Sequence, residues 1–125
     1  MNSTGRKSKI LCLIGSSILF IIAVFHGSGF NYVNSLVLSS DVPDFIKEVF
    51  PVLFILPSLQ LLGLATFGFI APYLKDTVHK ILIPLSIFIL ADAALAIYLD
   101  ALIPALVLAL SACLFVLSIF FSRVG

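Results

Sequence analysis

From Val49 to Ala71, and again from Ala101 to Phe121, the chain carries no charged side chain. A third run, Ile81–Leu99, is broken only by the acid Asp92, and a fourth, Ile10–Phe25, continues in softer form to Phe30. A helix crosses the ~30 Å hydrocarbon core of a bilayer with about 20 apolar residues. Lipid offers no partner for backbone polar groups, so spans of this length are helices. Only 10% of the residues are charged, where a soluble domain carries about a quarter. The mean hydropathy of +1.27 places most of the chain in lipid. The pattern predicts an all-α, integral-membrane four-helix transmembrane bundle, with helices near 10–30, 42–71, 78–99 and 101–121. Residues 1–125 form one domain, with no room for a second beside the spans.

Met1–Lys9 is polar and basic and is read as a cytoplasmic tail. With the apolar run behind it, this segment has the outline of a signal peptide. No A-x-A-like cleavage site follows and three more spans do, so it is read as an uncleaved first span. That span ends in His26-Gly27-Ser28-Gly29, where two glycines in three residues weaken a helix. Residues 31–48 form the only long connection. Tyr32, Val33, Leu36 and Val37 share a helical face there, which fits either a short interfacial helix or an ordered loop. Asp41, Pro43 and Asp44 are start signals for the second span near Val42. From Val42 to Ala71 that helix would measure about 45 Å, more than a bilayer core needs. Its first turns should project outward, with Pro51 or Pro57 as a kink site. Tyr73–Lys80 is a short polar link, and Asp100–Ile103 is a tight turn.

Orientation follows from the basic residues. With the N-terminus inside, Arg6, Lys7, Lys9, Lys75, Lys80 and Arg123 lie on the inner side, and only Lys47 lies on the outer side. Six against one is a positive-inside signal, so both termini are expected to be cytoplasmic, in a plasma (inner) membrane. Short links make the second, third and fourth spans antiparallel neighbours in a closed bundle. Small residues mark expected close contacts: Gly63 and Gly68, Ala93 and Ala96, and the stripe Ala105, Ala109, Cys113. Cys12 and Cys113 read as packing residues rather than as a disulfide.

An acid inside hydrocarbon is costly, and Asp92 has only apolar neighbours on its own helical face. Its partner must come from another helix. Counted from the expected outer surface, Asp92 lies about 12 Å down, Gln60 roughly 18 Å and His26 about 7 Å. The three come from three spans and could converge on one outward-facing polar pocket. Tyr98, Asn31 and Ser58 are secondary candidates, with Ser28 and Thr66 behind them. No lysine or arginine lies within a span to neutralise Asp92, so a neutral acid donating to Gln60 or His26 is the expected resting form. A charged His26 beside an ionised Asp92 is the rival.

Two functional classes follow. In one, the pocket binds a small molecule or carries proton-coupled transport. In the other, the chain is a non-catalytic interaction or assembly subunit, and its polar residues merely tie helices at ~0.6 kcal/mol per interhelical bond. The sequence leans away from an enzyme, because one buried acid has no evident nucleophile beside it. His26 and His79 fall on opposite sides of the membrane and cannot share a metal. No C-x-x-C, H-E-x-x-H or P-loop pattern occurs, so no metal or cofactor is expected. Membrane lipids are the expected partners, with a homo-oligomer or a membrane-protein partner besides, and no nucleic acid.

Overall fold

The computed structural model describes residues 3–74 and 78–123, and everything regular among them is helical. The elements are α1 (Ser3–Ser28), α2 (Phe30–Leu38), α3 (Asp44–Ile70) with a 3-10 turn at Ala71–Tyr73, α4 (Val78–Tyr98) and α5 (Leu102–Arg123). Four helical segments are long and apolar enough to cross a membrane: Gly5–Leu38, Asp44–Tyr73, Val78–Tyr98 and Leu102–Ser122. The last three match the expected spans to within a few residues, whereas the first starts five residues earlier and runs eight residues further than the expected 10–30. The basic segment before Ile10 forms the opening turns of α1, and α2 follows α1 with only Gly29 between them. Asp41 does not cap α3. Pro43 occupies the N-cap position instead, and its carbonyl accepts from Ile46 and Lys47.

The helices are arranged around α1. It packs against α3 on one side and α5 on the other, and α5 in turn packs against α4. By contrast α3 and α4, neighbours in sequence, scarcely touch. The closed ring expected from short links is therefore an open arc in the order α3, α1, α5, α4. Its cause is the distribution of small and polar residues. The buried face of α1 is Ser8, Cys12, Gly15, Ser16, Leu19 and Ala23, narrow enough to admit a helix on each flank.

Hydroxyls fix the α1–α5 seam. Ser8 Oγ donates to the Ser118 carbonyl and Ser118 Oγ to the Ser8 carbonyl, each at 3.0 Å. Two turns further along, Ser111 Oγ donates to the Gly15 carbonyl at 3.0 Å. The two contacts are seven residues apart on each helix, which sets an antiparallel register. This pairing draws the basic segment onto the bundle, where Lys7 lies over the Phe121 ring and Lys9 over the Tyr73 ring. The stripe on α5 is consequently Ala105, Leu108, Ser111, Ala112, Phe115 and Ser118. Cys113, placed by its spacing on the packing face, is exposed, whereas Cys12 is buried and donates to the Gly68 carbonyl. Gly68 marks the tightest crossing, against Ser16 and Phe115, while Gly63 has no foreign atom within 4 Å of its missing Cβ.

The α4–α5 turn is equally explicit. Asp100 has φ 57°, the left-handed conformation that aspartate tolerates better than most side chains. Its N–H bonds the Ile97 carbonyl, and the Ala101 N–H bonds the Ala96 carbonyl. That pair of bonds is a Schellman motif, which closes α4 and reverses the chain in three residues, Leu99, Asp100 and Ala101.

Candidate functional site

Because α3 and α4 stand apart, the arc encloses a cavity of about 460 Å³ between them. It lies at the end of the bundle where α1 passes into α2 and α4 turns into α5. The end of α1 contributes Ile22, Phe25, His26 and Ser28, and α3 contributes Pro57, Gln60 and Leu61. From α4 come Asp92, Leu95, Ala96 and Leu99, and from α5 Pro104 and Leu108. The walls are otherwise apolar. A volume of this size falls in the range of small-molecule pockets, about 300–1,000 Å³.

Asp92, Gln60 and His26 all line this one cavity. They do not form a single hydrogen-bonded triad. The Gln60 amide nitrogen donates to both carboxylate oxygens of Asp92, at 3.1 Å each, and this bond bridges the gap between α3 and α4. Its direction is the reverse of the one expected from sequence. The amide nitrogen donates and the acid oxygens accept. His26 has a different partner. Its Nδ1 is 2.9 Å from Ser58 Oγ, and its ring stacks on Phe54 with centroids 4.7 Å apart and planes at 21°. The rival pairing of His26 with Asp92 is therefore not the one the structure shows.

The secondary candidates divide. Ser58 is buried and holds His26, although it is not on the cavity wall. Ser28 is on the wall, but its Oγ is spent on the Phe25 carbonyl at 2.6 Å. Tyr98 is 83% exposed and Asn31 is exposed; neither lines the cavity. Thr66 bonds back to the Leu62 carbonyl on its own helix, away from the wall. Phe54, which sets the plane of the His26 ring, was not singled out from sequence. Its position four residues before Ser58 puts the two on one face of α3, and that spacing is the signal that finds it.

Among the described residues, no three His, Cys, Asp or Glu side chains gather closely enough to hold a metal. The chemistry this arrangement offers is binding. One acid has its oxygens oriented by an amide, one imidazole is held by a hydroxyl, and both face an apolar chamber. Compared with models of known protein families, with curated proteins and with solved structures, the chain matches none.

Proposed function

We propose that this is a small multispanning membrane protein that binds a small molecule in the cavity between α3 and α4, with Asp92 taking and releasing a proton in a transport cycle. The observation that carries the reading is the convergence of Asp92, Gln60 and His26, from three helices, on one otherwise apolar chamber. Burying a carboxyl in lipid is costly, and such groups mark binding sites and proton relays more often than they mark simple glue. The six-to-one distribution of basic residues supports an orientation with both termini cytoplasmic. The cavity then opens toward the outer side of a plasma (inner) membrane.

Native mass spectrometry of the protein released from nanodiscs tests the binding reading. A retained small molecule is expected on the native chain and is expected to disappear in Asp92→Ala and in the cavity-filling Ala96→Phe. Identical adduct spectra for all three would reject it. Reporter fusions at Ser39 and after Ser122 test the orientation; the first should report outside and the second inside.

A second reading has its own support. The seam between α3 and α4 continues away from the cavity as a groove lined by Leu64, Phe67, Ile81, Leu85 and Phe88, with Lys80 the one charged residue among its described lining. An assembly subunit would present this face to a membrane-protein partner or to a second copy. Co-purification of a stoichiometric partner, lost on Phe67→Ala, would favour that reading over a self-sufficient binder.

A further inference from the structure

We infer that the molecule the cavity accepts is a lipophilic monocation, an ammonium attached to an apolar body, and this rests on the reading of the cavity as a ligand site. Among the described residues, Asp92 is the only carboxylate on the wall, and no lysine or arginine lies there. Its one protein partner is the neutral amide of Gln60, whose nitrogen serves both oxygens at once. An acid in an apolar chamber is relieved either by a proton or by a counter-charge, because a neutral amide offsets only part of its desolvation, and a bound cation would take the proton's place. The remaining titratable group on the wall, His26, is held by Ser58 and stacked on Phe54 rather than turned to Asp92. The protein thus supplies the orientation of the acid but not its counter-ion.

The chamber has the matching shape. Each carboxylate oxygen keeps lone pairs beyond the one used by Gln60, so an N–H-bearing cation can bond the pair. Ile22, Leu61, Leu95 and Leu108 supply the surface for an apolar body. Phe25 lies on the same wall, and an aromatic ring beside the site can add a cation–π contact.

Equilibrium dialysis of the full chain in lipid nanodiscs, with empty nanodiscs subtracted, tests this with 2-phenylethylammonium and its near-isostere 2-phenylethanol. The ammonium should be held at least tenfold more tightly than the alcohol. Asp92→Asn, which keeps an amide-to-amide bond to Gln60 available, should bring the ammonium down to the level of the alcohol. Gln60→Leu, which removes only the neutral partner, should keep the preference for the cation. Equal retention of both probes, or a preference that survives Asp92→Asn, overturns the cation assignment. In that case loss of both probes in Ala96→Phe would leave the cavity standing as a ligand site of another class. If neither probe is held above empty nanodiscs and Ala96→Phe changes nothing, the ligand-site reading falls with it.

Discussion

Replacing Gly68 by alanine tests whether the bundle is built around the α1–α3–α5 crossing. A Cβ at this position would overlap Ser16 Oγ and lie 2.9 Å from Phe115 Cζ and 3.1 Å from Cε1. Carbon atoms settle at about 3.5–4.0 Å, so the Phe115 ring would have to withdraw by roughly 0.6 Å. It has little room to do so: Phe115 is fully buried, and Gly15 closes on the same ring edge. Overpacking of this kind costs about 1–3 kcal/mol, against a gain of up to about 1 kcal/mol from helix propensity. The protein carries its own reporter. Cys12, bonded to the Gly68 carbonyl, is buried, whereas Cys113 is exposed. Pulsed thiol labelling in mild detergent should modify Cys113 at the same rate in both proteins. Gly63→Ala is the matched control, since it shares the gain in helix propensity but nothing lies within 4 Å of its added methyl; it should label no faster than the native chain. Modification of Cys12, which requires opening, should run roughly 5- to 150-fold faster in Gly68→Ala than in this control, for the 1–3 kcal/mol of overpacking alone. Phe115→Leu on the Gly68→Ala background should restore part of the protection. If Gly68→Ala and Gly63→Ala label alike, the crossing is not where the structure puts it.

Other outcomes follow from single contacts. Ser111→Ala removes one α1–α5 hydrogen bond and should cost ~0.6 kcal/mol in SDS-titrated unfolding, while Ser122→Ala, whose hydroxyl bonds only its own helix at Ile119, should cost nothing measurable. Asp100→Val should destabilise by about 1–2 kcal/mol because a β-branched residue resists positive φ, whereas Asp100→Gly should equal or exceed the native chain in the same titration. Phe54→Leu should lose the His26 stack, worth about 0.5–1.5 kcal/mol beyond burial, and lower the thermal midpoint in detergent; an unchanged midpoint would show that the stack is incidental.

The four spans were legible because a lipid solvent demands long uncharged runs, and Ile81–Leu99 or Ala101–Phe121 has no other reading. Their arrangement was not. Link length argues that α3 and α4 pair, but the pairing is decided by which helix can be approached closely, and that depends on Ser8, Cys12, Gly15 and Ser16 meeting Ser111, Phe115 and Gly68. Spacing alone could not rank the two small-residue stripes of α5. Ala109 and Cys113 look as suitable as Ser111 and Ser118 until the carbonyls of Gly15 and Ser8 appear opposite the serines. At the candidate site, depth counted in residues was enough to put Asp92 and Gln60 at compatible depths, about 6 Å apart, because rise per residue in a helix is nearly fixed. It could not show which way a hydrogen bond runs, nor that Ser58 would claim His26, since both depend on rotation about the helix axis.

The central place of α1 bears on how the protein is made. Its two flanks are filled by α3, synthesised next among the spans, and by α5, synthesised last, with Ser8 and Ser118 separated by 110 positions. During insertion, the face of α1 that carries Gly15 and the Ser8 carbonyl waits in lipid until α5 has been translated. A nascent chain halted before Leu102 would hold α1 against α3 with that face uncovered, together with the small residues that other transmembrane helices readily pack against. Quality control acting on unassembled spans would therefore see the α1 face as unpartnered until α5 arrives.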